Sequence, residues 1–189
     1  VDAHLMQHNL PQAVRFLREA VKTCRGFDQA DEALRRLDRI LELAPEDTQA
    51  QEEKIEVLLA QDRREEAVRN QIELARLYVR KDLIGKAAQT LEDVLRADPN
   101  QIEAHQALVD LYLAKGQQQQ AVSQMQQQAE VYLSSERMDQ ALEVYEHVVR
   151  LEPKLTEARN RLAMLYRHAE KPEEAIEQGE HLFGAAEVE

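Results

Sequence analysis

Tryptophan is absent from this chain of 189 residues, and Cys24 is its only cysteine. A single cysteine allows no internal disulfide, so a secreted, disulfide-stapled fold gets no support. Glycine and proline number 5 each, well below ordinary usage, so turns are few or are built from other residues. Aromatic residues make up only 4% of the chain, which is thin for a β-sandwich or barrel core. No apolar run approaches the roughly 18 residues of a membrane span. The opening stretch "VDAHLMQHNL" has neither the basic start nor the apolar middle of a signal peptide. The expected setting is cytoplasmic, with no membrane insertion.

What is present is helix-forming. Ala, Leu, Glu, Gln and Arg dominate, and all favour helix. Charged residues make up 32% of the chain, with a net charge of −12 and a pI near 5.0. Such a chain lacks the cationic footprint that nucleic acid or an anionic membrane surface requires. Neutral or basic partner surfaces are the expected ones.

The sequence repeats itself. "ALRRLDRILELAP", "AAQTLEDVLRADP" and "ALEVYEHVVRLEP" place Ala33, Ala87 and Ala141 at equal intervals, and Pro45, Pro99 and Pro153 likewise. A second series, Ala13-Val14, Ala67-Val68, Ala121-Val122 and Ala175-Ile176, has the same 54-residue period. The two series interleave, at alternating offsets of 34 and 20. A fixed period in this range is the mark of a repeat architecture.

Each unit reads as three helices. In the first copy they are 31–44, 47–61 and 64–80, and they recur at 85–97, 101–115, 118–134, 137–151, 155–168 and 172–183. A further third-type helix precedes them at 11–25, after the tail of a second-type helix at 1–9. This gives about eleven helical segments and no strand, each segment with apolar residues at helical spacing. Pro45, Pro99 and Pro153 end the first helix of each unit, because proline cannot continue the hydrogen-bond ladder. The acidic start of 47–61 suits the positive end of a helix dipole. The chain opens without Met and inside a repeat, and the expectation is a segment of a longer protein.

The tract "KGQQQQAVSQMQQQAEVY" carries no charge from Gln117 through Ala129, yet it aligns without a gap onto "QDRREEAVRNQIELARLY". It therefore reads as a third-type helix and not as a linker. Most of its glutamines replace charged residues on the solvent face, where the loss of charge reads as drift. Gln126 and Gln128 instead replace Ile72 and Leu74 and thin the apolar face.

These segments resemble tetratricopeptide repeats. That family places a small residue early in its second helix, an aromatic four residues on and a proline twelve on. Ala141, Tyr145 and Pro153 match all three, while Ala33 with Pro45 and Ala87 with Pro99 match two. "LVDLY", "LAMLY" and "LARLY" keep the Leu and Tyr of the family's first helix, but Val109, Ala163 and Ala75 stand in for its glycine. The family's tryptophan is missing, and the third helix of each unit serves as second helix of one repeat and first helix of the next. The resemblance implies an all-α, right-handed α-solenoid of stacked antiparallel helices, forming one continuous domain over 1–189. It also implies a non-catalytic scaffold, without cofactor or metal, that binds a partner peptide or domain on a concave surface. The alternative is a regulatory or sensory arm of a multidomain signalling enzyme whose catalytic part lies elsewhere.

Candidate partner-binding residues follow from that resemblance, with first helices taken to face inward. They are Glu52 and Glu56 on the first such helix, Glu103, Gln106 and Asp110 on the next, and Glu157, Asn160 and Met164 on the last. Their acidity excludes the carboxylate clamp by which some relatives hold a chaperone's C-terminus, since the positions Gln49, Glu52, Glu53 and Glu56 offer no cation and their glutamates would repel a carboxylate. It favours a basic segment instead. His4 and His8 have a metal-compatible i, i+4 spacing but no further ligand nearby, and are read as accidental. Cys24 falls one full period before Tyr78, at a packing position, and is read as a small buried thiol.

Overall fold

The structure is a computed structural model that describes residues 10–26 and 29–184. Among them are ten helices and no strand: α1 (Leu10–Gly26), α2 (Ala30–Leu43), α3 (Thr48–Ala60), α4 (Arg64–Arg80), α5 (Ile84–Ala97), α6 (Ile102–Ala114), α7 (Gln118–Ser134), α8 (Met138–Leu151), α9 (Thr156–His168) and α10 (Pro172–Gly184). Their ends fall within about a residue of the expected ones, because alanine registers and prolines mark helix ends in sequence. The expected helical tail at 1–9, with His4 and His8, lies outside the described residues.

The chain divides into two compact units, Val1–Thr90 and Leu91–Glu189. In the first, α1 packs on α2, α2 on α3 and α3 on α4. Its core holds Val21, Leu34, Leu37, Ile40, Val57 and Leu58, with Ala50 and Ala67 fully buried between helices. Each large side chain withdrawn from water in this way stabilises by about 1.5–3 kcal/mol. Cys24 is buried at the same face, as its register with Tyr78 implies.

In the second unit α6 packs on α7, α7 on α8, α8 on α9 and α9 on α10. Its core gathers Val109, Val122, Met125, Leu142, Tyr145 and Leu162 around Ala121, Ala129, Ala141 and Ala158. All four alanines are wholly inaccessible to solvent, so a methyl is the largest side chain these helix crossings admit without repacking. The glutamine-rich tract is helical as α7 from Gln118 onward, after a turn at Lys115 and Gly116.

Two kinds of turn join the helices from α2 to α10. At the proline turns the chain leaves the helix with one last backbone bond: the N–H groups of Ala44, Asp98 and Glu152 donate to the carbonyls of Ile40, Val94 and Val148 at 2.7, 2.9 and 2.8 Å. The other turns close with a left-handed residue: Asp62, Asp82, Gly116, Glu136 and Glu170 have φ of 54°, 57°, 69°, 58° and 57°. The N–H group of the next residue then donates back across the turn, as from Arg137 to Tyr132 and from Gln117 to Tyr112, both at 2.8 Å. This is the helix-ending motif in which glycine is usual, and here one position in five uses it.

Candidate functional site

The helices that follow the proline turns, α3, α6 and α9, carry every candidate residue. On α6, Glu103, Gln106 and Asp110 are spaced three and four apart, which aligns them on one exposed stripe. Glu157, Asn160 and Met164 repeat that spacing on α9 and are also exposed, Met164 by 56%. On α3, Glu56 is exposed, but Glu52 is half-buried and accepts a hydrogen bond from the Tyr78 hydroxyl of α4. Glu52 is thereby committed to holding α3 against α4.

Gln106 is tied on both sides. Its Nε2 donates to Asp110 Oδ1 at 2.9 Å, and its Oε1 accepts from Gln128 Nε2 of α7 at 3.2 Å. Gln128 is only 2% exposed. At the place where α4 has Leu74, α7 thus buries an amide and meets its hydrogen-bonding need through α6. The neutral tract is therefore partly structural, and not wholly a surface where charge was lost by drift.

Tyrosine–carboxylate pairs recur along the chain. Tyr112 donates to Glu92 at 3.4 Å, and one period later Tyr166 donates to Glu146 at 2.8 Å. Tyr145 of α8 donates to Glu130 of α7 at 2.9 Å, and Arg161 of α9 lies 3.7 Å from the same carboxylate. Burial, followed by the hydrogen bond to the neighbouring glutamate, pushes Tyr78 and Tyr166 up to about 12 and raises Tyr145 as well. Tyr112 is raised by burial and by the charge of Glu92. These phenols stay protonated, as donors to ionised carboxylates must. The tyrosines were legible as apolar-face residues; their partners, from neighbouring helices, carried no sequence signal.

Arg161 of α9 thus reaches Glu130 of α7, and α8 packs on both of these helices. α7 is the glutamine-rich helix. An open groove of about 340 Å³ runs along it, lined by Gln119, Val122, Ser123 and Gln126 of α7 with Glu152, Lys154 and Leu155 of the turn into α9. Its walls offer amides, a hydroxyl and one charge of each sign, groups suited to binding a polar chain.

Among the described residues no group of three His, Cys, Asp or Glu side chains is placed to hold a metal ion. No described helix is long and apolar enough to cross a membrane.

The sequence profile of the tetratricopeptide repeat matches residues 127–182, from within α7 through most of α10. No curated protein matches the chain. Among solved structures it is similar to a crystal structure of MamA, with 18% identity over 88% of this chain and 94% of that one and a TM-score of 0.32. It is also similar to MamA from Desulfovibrio magneticus RS-1, with 14% identity, coverage of 94% and 97% and a TM-score of 0.33. A thermophilic tetratricopeptide protein of Thermus thermophilus shares 21% identity, with coverage of 80% and 98% and a TM-score of 0.31. The profile falls on the copy of the unit whose Ala141, Tyr145 and Pro153 carry the full motif, and the 54-residue register extends the same helix pattern back to α1: residues 127–182 match the tetratricopeptide repeat, within an all-α helical-repeat fold.

Proposed function

We propose that this protein is a non-catalytic scaffold that binds a partner peptide or domain bearing a basic segment, on the concave surface its repeat family implies. The observation that carries this reading is the pair of exposed stripes, Glu103, Gln106 and Asp110 on α6 and Glu157, Asn160 and Met164 on α9. Each is presented by a helix whose opposite face is locked into the core. Rigid presentation lowers the ordering cost of binding, and carboxylates in a chain of net charge −12 attract cations and hold off acidic competitors. Met164 adds an apolar contact beside Glu157 and Asn160. One continuous domain and a cytoplasmic setting belong to the same reading.

The test is binding of fluorescent Lys- and Arg-rich peptides, against acidic peptides of equal length, over a salt series. Affinity for the basic set should fall with ionic strength. Reversing Asp110 and Glu157 together to lysine should weaken it about tenfold, since each exposed pair contributes up to about 1 kcal/mol. Salt-insensitive binding, or binding unchanged in the double variant, rejects the reading.

A further inference from the structure

Gln51, His105 and Arg159 occupy one place in successive copies of the 54-residue unit. Each is hydrogen-bonded to the residue 19 positions later, on the next helix: Gln51 to Asn70 at 3.0 Å, His105 to Gln124 at 3.1 Å and Arg159 to Gln178 at 2.9 Å. Asn70, Gln124 and Gln178 therefore mark a face of α4, α7 and α10 on which the preceding helix sits. One further period back, the same place on α1 holds Phe16. Its ring is 76% exposed, more than any other large hydrophobic side chain among the described residues.

A second face behaves alike. Val68, Val122 and Ile176 share a register. Val122 is buried and lies beside Leu155 of the turn into α9, and Val68 is half-buried. Ile176 of α10 is 61% exposed, second only to Phe16 among the described residues. One exposed hydrophobic side chain is ordinary. Here two stand where the register elsewhere packs helices or turns, and both would gain from cover.

The two faces differ in sign. Along α1, Gln12, Arg15, Phe16 and Glu19 are spaced three and four apart and line an open groove of about 410 Å³. This helix carries Arg15, Arg18, Lys22 and Arg25 against one acid, Glu19, in a chain of net charge −12. Arg18 is held by Asp47 and Glu53 of α3, and Lys22 by Glu19 at 3.0 Å. Arg15 is exposed and has no ion pair with a described residue, so its charge is the open one beside Phe16. On α10, Glu173 and Glu177 flank Ile176, with Glu174 next to them. All three are exposed and have no ion pair with a described residue, and α10 carries no lysine or arginine.

We propose that this face of α1 docks a second copy of the chain, which presents the Ile176 face of its α10. Phe16 and Ile176 meet at the centre, and Arg15 faces Glu173 and Glu177 around them. Charge selects the occupant. Two α1 faces would set Arg15 against Arg15, and two α10 faces would set glutamates against glutamates. Only the unlike pair brings opposite charges together over an apolar centre. The contact is therefore heterologous, each copy offering one face and receiving on the other. It uses none of the residues of the α6 and α9 stripes.

The test is sedimentation velocity of the whole chain over a concentration series. The wild type should sediment faster as concentration rises, and less so at high salt. Arg15→Glu reverses one face, and Glu173→Lys with Glu177→Lys reverses the other. Either variant alone should associate about tenfold more weakly, because like charges then meet. An equimolar mixture of the two should return to wild-type association, since the reversed faces are again of opposite sign. Phe16→Ser, which removes the apolar centre, should also weaken association about tenfold. All four positions are exposed, and unchanged melting temperatures in dilute solution check that the variants fold. A wild-type sedimentation coefficient that stays constant over the series, as when an unrelated protein is the partner of these faces, overturns the proposal whatever the variants do. Variants that associate like the wild type overturn it too, as does a mixture that associates no better than its components.

Discussion

Tyr145 donates its phenolic proton to Glu130 across 2.9 Å, joining the one helix that carries the full family motif to the helix whose glutamines first suggest a linker. The same carboxylate faces Arg161, so a single acidic side chain serves α7, α8 and α9. Removing the hydroxyl alone tests what the pair contributes. Tyr145→Phe should cost about 1–1.5 kcal/mol, since the phenol is buried but the Glu130 carboxylate is half exposed and water replaces part of the bond. Glu130→Gln, which leaves an acceptor in place, should cost less. Urea unfolding of both variants checks the order.

The tyrosines also make an alkaline prediction. Their neutral form is favoured when folded, so their stabilisation is complete below the unfolded value of 10.0 and is lost as pH rises through about 12 for Tyr78 and Tyr166. Phenolate absorbance on alkaline titration should therefore lag behind that of the urea-unfolded chain, and stability should begin to fall above about pH 10. Coincident titration curves would show that the tyrosine–glutamate bonds do not persist in solution.

Helix ends give a third prediction. Asp62, Asp82, Glu136 and Glu170 hold φ between 54° and 58°, where a side chain is strained, and each places a carboxylate at the negative end of a helix. Glu136→Gly should stabilise by about 0.5–1 kcal/mol, the relief of strain exceeding glycine's greater freedom when unfolded. Gly116→Ala is the control. A methyl there meets nothing within 4 Å, so its expected loss of about 1 kcal/mol comes from the backbone alone. Melting temperatures moving in opposite directions confirm the pair.

Ala121→Glu should destabilise by several kcal/mol, because Ala121 is wholly buried and a carboxylate there would be stripped of water without a partner. A melting temperature that does not move would mean that α7 packs by another face.

The helices were legible in the sequence because a 54-residue register, three prolines and a fixed series of alanines repeat the same instruction. Cys24 and Ala121 are buried where that register puts them. The candidate stripes were legible as exposed faces, since helical spacing separates the two sides of α6 and α9. The cross-helix bonds were not. Periodicity tells which side of a helix faces inward, but not that Glu52 would be taken by Tyr78 or that Gln128 would be buried against Gln106. Those outcomes depend on which side chains of a neighbouring helix come level after packing. Gln51, His105 and Arg159 escaped notice for a related reason: the register aligns them, but three chemically unlike residues share no motif, and only the bonds to the next helix show their common role.

The four acidic residues in left-handed turns have a consequence for how this sequence can change. Codons for aspartate and glutamate lie one base from codons for glycine, so each of these turns is a single nucleotide away from the residue its backbone favours. A lineage carrying this protein therefore has a nearby reserve of stabilising mutations, reachable without touching the helices, with which to absorb damaging changes elsewhere.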